Sequence, residues 1–405
     1  MDAALRQDAE YIVKKSIAAV MPNAAVKAAL ENKAFPGRVI LVAAGKAAWQ
    51  MAKAAYDCVA VDKGIVITKY DHANGPIGNL AIREAGHPTP DANGFQATGE
   101  VLEMVQNLKE TDTVLFLLSG GGSALFELPL ISGEELQDVT KQLLACGAEI
   151  GEINCIRKRL SAVKGGKFAL ACHPAQILSI VLSDVLGDRL DVIASGPACP
   201  DSSTCKDAIA IAKKCGLRLS ERAWELLSIE TPKALSNVQT VVNGSVRLLC
   251  AAAARACGEL GYEPIILTDQ LTCEAKTAGA MLAEELKKYD RPIALIAGGE
   301  TVVKLTGRGK GGRNQELALA AAEGIRGVTG AAVFSVGSDG TDGPTDAAGG
   351  YVDYTTIEEL SKSDICVDAV LADNDSYYAL KAVGGLIITG PTGTNVNDVA
   401  VALYK

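Results

Sequence analysis

The sequence predicts an α/β protein of two domains, each built on a mostly parallel, Rossmann-like sheet. Three observations carry this expectation. The chain has 405 residues, more than one ordinary core accommodates. Short apolar runs alternate with Ala-rich stretches of helical period. Several apolar runs end in glycine-rich, charged text, and open α/β sheets bind their ligands beyond strand ends of this kind.

The first series reads in order. RVILVAAG (38–45) is a strand, KAAWQMAKAAYDCV a helix and KGIVITK a strand. After the turn formers of GHPTPDANG, FQATGEVLEMVQNL is a helix and TVLFLLSGGG a strand. ISGEELQDVTKQLLACG is a helix that Ser132 caps, with Glu135 three residues on, and ILSIVLSDV (177–185) is a strand. A second series starts near residue 236. NVQTVVNG, EPIILTD, PIALIAGG, VVKLTG and AAVFSVGSDG read as strands. VRLLCAAAARACGELG, CEAKTAGAMLAEELKKY and RNQELALAAAEGI read as helices between them. The expected domains are therefore residues 1–235 and 236–405. The N-terminal MDAALRQDAEYIVKKSIAAVM carries Asp2, Asp8 and Glu10 and reads as an amphipathic helix, not a signal peptide.

Composition narrows the partners. The net charge of −9 and an aromatic content of 4% disfavour nucleic acid and anionic membranes, so an anionic ligand needs a local site. No stretch approaches the roughly 20 apolar residues of a membrane span. Eleven cysteines without C-x-x-C pairs, and only three histidines, give no zinc-finger pattern. Reduced, mostly buried thiols in a cytoplasmic protein are expected.

Five strand ends carry polar, glycine-rich text: AAGK (43–46), SGGGS (119–123), SDVLGD (183–188), GGET (298–301) and GSDGTDGPTD (337–346). LFLLSGGGSALF (115–126) runs a buried strand into Ser119, Gly120, Gly121, Gly122 and Ser123. Bare backbone there suits an anion held by amides, and the Lys-Ser or Lys-Thr of a Walker A loop is missing. GRGKGGRNQE (307–316) brings Arg308, Lys310 and Arg313 around Gly307, Gly309, Gly311 and Gly312. The string matches G-x-G-x-x-G, yet three cations suit phosphate or carboxylate better than a dinucleotide; the bland alternative is a solvated basic loop. Lys46 opens a helix, where the macrodipole disfavours a cation, so it either meets an anion or reaches into solvent. Asp184 and Asp188 in SDVLGD, and Asp339, Asp342 and Asp346 in GSDGTDGPTD, suit Mg²⁺ as well as ordinary turn chemistry. His72, His87 and His173 read as loop residues and receive no catalytic role. No G-x-S-x-G elbow supports acyl transfer. Cations, acids and glycine amides at strand ends together ask for phosphoryl transfer.

The blocks GKAAWQMA (45–52), GHPTPD (86–91), LSGGGSAL (118–125), INCIRKRLSAVKGGKFA (153–169), LSDVLGDRLDVIASGPACPD (182–201), GGET (298–301), GGRNQELAL (311–319), GTDGPTDAAGG (340–350) and TGPTGTNVNDV (389–399) follow in order. The chain thereby resembles the glycerate 2-kinase family, whose C-terminal part is the MOFRL domain and whose members often carry the label hydroxypyruvate reductase. The resemblance spans about residues 40–400. It implies ATP-dependent phosphorylation of glycerate at the 2-hydroxyl, with Mg²⁺ or a similar divalent ion, and an active site in an interdomain cleft. Essential family cations fall on Lys46 and Arg313, and the glycine-rich loop on residues 119–123. Lys310, Gly311 and Gly312 join it as phosphate ligands. Asp184 and Asp188 are expected to hold metal or take the hydroxyl proton, with Asp339 and Asp342 in second rank. Arg159 stands where the family usually has His, Cys273 where it has Gly and Leu186 where it has Pro. Arg159 is expected near the acceptor. An NAD(P)H-dependent hydroxypyruvate reductase and a non-catalytic ATP sensor are the alternatives.

Overall fold

The computed structural model describes residues 1–405. The chain divides into two compact units, Ala25–Asn243 and a second made of Met1–Ala24 with Gly244–Lys405. The split follows packing and departs from the expected boundary at 235/236 in two ways. The helix Ala3–Ala19 buries Leu5, Ala9, Ile12, Val13 and Ile17. Its Asp8 accepts from Tyr262 Oη (2.6 Å) and Lys405 Nζ (3.0 Å), so the N-terminus belongs with the C-terminal residues. NVQTVVNG, read as opening the second series, instead ends the first sheet.

In Ala25–Asn243 the strands are β1 (Val39–Ala44), β2 (Lys63–Lys69), β3 (Ala81–Ala85), β4 (Thr113–Leu118), β5 (Gln176–Leu182) and β6 (Val238–Gly244). They order as β3-β2-β1-β4-β5-β6. The pairings from β3 through β5 are parallel. All six residues of β1 and five of β4 are buried, as parallel strands covered on both faces must be. Alternation sorts them. Ile40, Val42, Ala44, Val114, Phe116 and Leu118 pack on one face, while Val39, Leu41, Ala43, Leu115 and Leu117 pack on the other. Phe116, Phe126 and Phe168 meet at centroid separations of 4.8–5.4 Å and lock the first face. This is the doubly wound strand order, and its direction reverses between β1 and β4, where such sheets open a crevice.

The second sheet corrects the parallel expectation. β7 (Glu263–Leu271), β8 (Ile293–Gly299), β9 (Ala331–Gly337), β10 (Gly349–Asp353), β11 (Leu386–Ile387) and β12 (Asp398–Tyr404) order as β11-β10-β9-β12-β8-β7. Only β7 and β8 pair in parallel. The last strand, β12, enters antiparallel between β8 and β9 and pairs with both along its length. The short link from β9 to β10 makes that pair antiparallel too. VVKLTG forms no strand. Val302 makes a single bridge and Leu305 is 82% exposed, and only Val303 packs against the core.

All eleven cysteines are unpaired; four are buried and three exposed. No helix is long and apolar enough to cross a membrane.

Candidate active site

The reversal point of the first sheet gathers its site from the ends of β1, β4 and β5. After β1 the chain turns at Gly45 (φ +126°), where a Cβ would stand 2.6 Å from the Ser119 carbonyl oxygen. Only glycine fits. The Lys46 amide then donates to Gly120 O (2.9 Å), and the Ala47 amide to Ser119 Oγ (3.0 Å). Ser119 is thus a buried brace for the start of the helix Ala48–Tyr56.

Each of the three glycines makes room for a different neighbour. A Cβ on Gly120 would strike Asp184 Oδ2. On Gly121 (φ +87°) it would meet His87 Cδ2 at 3.0 Å, His87 Nε2 at 3.2 Å and Lys46 Cγ at 3.2 Å. On Gly122 it would press 2.9 Å from the Ala194 methyl. The bare backbone therefore draws Lys46, His87 and Asp184 around one turn. The Ser123 carbonyl accepts from Arg157 Nη2 (2.8 Å). Lys46 makes no ion pair within the chain, so its charge is available to a ligand.

Asp188, with φ +52°, sits past β5 on the same turn as Asp184. Its Oδ1 is buried and has no hydrogen-bond partner, an orphaned hard oxygen of the kind a divalent cation takes. No three His, Cys, Asp or Glu side chains gather as a metal cage anywhere in the chain. An ion held by Asp184 and Asp188 would complete its shell with water and phosphate oxygens, as Mg²⁺ commonly does.

The second unit holds the other charged group, at the ends of its interior strands β8 and β12. Arg313 opens the helix Arg313–Ala321. It forks onto Asp398, with Nε to Oδ2 at 2.5 Å and Nη2 to Oδ1 at 3.0 Å, and its Nη1 reaches Glu300 Oε1 at 2.9 Å. Burial pushes the Asp398 carboxyl up to about 6, against the pull of Arg313. Burial works against the Arg313 charge as well, but the Asp398 pairing outweighs it and raises the guanidinium. Asp342 accepts from the amides of Asn314 (3.1 Å) and Gln315 (2.8 Å) and so caps this helix itself. Burial raises its pKa and those hydrogen bonds oppose the rise. Asp339 Oδ1 accepts from the Thr341 amide (2.9 Å) in the turn after β9.

The 307–312 loop is sutured to its own chain. The amides of Gly307, Arg308, Gly309 and Lys310 donate to Asn374, Asp373 and Asp375. Cβ atoms on Gly307 and Gly309 would strike residues 373 and 375, on Gly311 the Ser376 hydroxyl, and on Gly312 Asp342. Lys310 Nζ lies 4.6 Å from the Tyr377 ring centroid.

Relatives of this chain carry both kinase names, at 54% and 42% identity, and putative hydroxypyruvate reductase names, at 39–40%. Residues 8–228 match a domain of unknown function (DUF4147), and residues 293–398 match the MOFRL family. A Thermotoga maritima protein named D-glycerate 2-kinase is 54% identical, covering 98% of each chain. A Pyrococcus horikoshii glycerate 2-kinase is 42% identical over 93% of this chain and 90% of its own. The crystal structure of a glycerate kinase (EC 2.7.1.31) from Thermotoga maritima superposes with a TM-score of 0.96 at 52% identity, covering 100% of both chains. The chain belongs to the glycerate 2-kinase family.

Within that family, Arg159 proves to be a core residue. Its side chain is fully buried, with Nη1 on Cys155 O (2.9 Å) and Ser203 Oγ (3.0 Å) and Nη2 on Ser203 O (2.9 Å). Any bearing of Arg159 on acceptor choice would have to be indirect, since its guanidinium is held by Cys155 and Ser203. Sequence reasoning also passed over His87. The family block GHPTPD held the only signal, because contact with Gly121 depends on a pairing 34 residues away.

Proposed function

We propose that this chain transfers the γ-phosphoryl group of ATP to the 2-hydroxyl of glycerate, giving 2-phosphoglycerate and ADP. The observation that carries the reading is Lys46, a cation without an ion-pair partner, set beside a triple-glycine turn and Asp184 at the reversal point of the sheet. Phosphoryl transfer needs positioning and charge neutralisation more than covalent work. Lys46 meets an anionic group of the substrates, the transferred phosphoryl or the glycerate carboxylate. Asp184 and Asp188 would hold a divalent ion such as Mg²⁺, which supplies charge neutralisation on the phosphates when bound. Arg313, held by Asp398, presents a fixed guanidinium to an anion. The turn at 119–123 fixes where these groups point. The eleven unpaired thiols suit a cytoplasmic enzyme.

A nicotinamide-dependent hydroxypyruvate reductase is less supported. Its dinucleotide loop would be Gly307-x-Gly309-x-x-Gly312, and four of those amides already bond to residues 373–375. The deciding assay is ADP formation from Mg-ATP and D-glycerate, with the product's phosphate located by ³¹P NMR and the Lys46→Ala variant alongside. Glycerate-dependent ADP with phosphate on the 2-oxygen, lost in the variant, is expected. No ADP with any hydroxy acid, but NADH oxidation with hydroxypyruvate, would overturn the reading.

A further inference from the structure

We propose that His87 is the proton acceptor for the hydroxyl that attacks the phosphoryl donor, a catalytic role that rests on the kinase reading above. The geometry starts from the turn of residues 86–91. A Cβ on Gly86 would lie 2.6 Å from Thr89 O and 3.0 Å from Asp91 Oδ2, so this turn is tightly closed. Asp91 secures it by capping the helix Ala92–Met104 through the Gly94 amide (3.0 Å) and accepting from Tyr70 Oη (2.6 Å). The turn sets the imidazole against Gly121, with Nε2 and the Lys46 stem flanking the same Cα. Neither ring nitrogen of His87 has a hydrogen-bond partner within the chain.

The other groups around the turn are already committed. The Ser119 hydroxyl holds the Ala47 amide. His72 Nδ1 lies 3.2 Å from Lys46 O, and the His72 amide donates to Glu84. Lys46 is a cation, and Asp184 and Asp188 are assigned to the metal. His87 is the remaining base. Burial, then the charges of Lys46, Lys69 and His72, lower its pKa and so favour the neutral ring, the form that can accept a proton.

The step balances as follows. The glycerate 2-oxygen forms a bond to the γ-phosphorus, the bond from that phosphorus to the β,γ-bridging oxygen breaks, and its electron pair leaves with ADP. The hydroxyl proton passes to His87 Nε2 and then to water.

The test is the full chain with His87→Ala and His87→Gln, assayed for ADP with saturating Mg-ATP and D-glycerate. Both variants are expected to lose about 100-fold in kcat, the usual weight of a general base, while KM for either substrate moves less than about threefold. Added imidazole is expected to restore turnover in His87→Ala, faster with more basic imidazoles. Circular dichroism establishes that each variant is folded; His87→Gln carries the kcat test if His87→Ala is not. A folded variant that keeps more than about a third of the wild-type kcat overturns the proposal, as does a kcat loss in folded His87→Ala that no imidazole restores. Inactive wild-type protein would instead count against the kinase reading itself.

Discussion

The turns at 119–123 and 307–313 look alike as text and differ in what occupies them. Both lead into a helix, both are rich in glycine, and both bring a cation beside acids. In the first, the glycines admit Asp184, His87 and Lys46, and the lysine keeps an unpaired charge. In the second, the glycines admit the chain's own residues 373–376 and Asp342, and Arg313 is already paired with Asp398 and Glu300. A glycine-rich stretch signals close approach. Whether a ligand or the protein itself approaches depends on the partners the fold delivers.

The largest expected contrast comes from removing the two cations. Lys46→Ala and Arg313→Ala are both expected to lose more than about 100-fold in kcat/KM, as for a lost charge-stabilising group. Their stabilities should part. Lys46 has no partner to strand, so chemical denaturation of its variant should track wild type within about 0.5 kcal/mol. Arg313→Ala leaves Asp398 buried and uncompensated and should cost about 3–5 kcal/mol. Equal midpoints for the two variants would show that the pairing of Arg313 is immaterial to folding.

The same pair has a pH signature. The folded Asp398 carboxyl is raised from an ordinary 3.8 to about 6, so between those values the native state holds a proton that the unfolded chain has released. This group's contribution to stability is therefore complete below about pH 4 and is lost as pH rises to about 6, by up to about 3 kcal/mol. Asp398→Asn should flatten that part of the stability–pH curve.

Substituting one glycine in each turn sharpens the contrast further. Gly121→Ala forces a side chain at φ +87° against His87 and Lys46 and should cost about 1–2 kcal/mol, with a kcat loss above about tenfold. Gly309→Ala meets Asp373 O at 2.6 Å and should cost about 1–3 kcal/mol, with kcat per folded molecule unchanged. The reverse pattern would exchange the roles assigned to the two turns.

These contrasts show what the sequence made legible. Buried runs such as VILVAA and TVLFLL declare parallel strands, because both faces must be apolar, and their glycine-rich ends point to the sheet's crevice. The direction of the second sheet was hidden, since DVAVALY pairs with β8 and β9 from the far end of the chain and strand direction leaves no local mark. His87 stayed hidden for the same reason. Its chemistry comes from contact with Gly121, while its own neighbours, glycine and proline, read as a turn. Lys46 stood out only through the family block GKAAWQMA, because a lysine at a helix start can equally reach into solvent.

Lys310 is the smallest and most diagnostic case. A cation between glycines suggests a phosphate ligand, but its amide is held by Asp375 Oδ1 (2.8 Å) and its ammonium rests on Tyr377. Tyr377 in turn donates to Asp346 Oδ1 (2.8 Å), so lysine, ring and carboxylate form a closed local set. Lys310→Met keeps the stem against the ring and removes only the charge. It should cost about 0.5–1 kcal/mol of stability and shift KM for ATP by less than about threefold. A KM rise above about tenfold with unchanged stability would mean that the ammonium leaves Tyr377 for a phosphate, and would make the second turn a ligand site like the first.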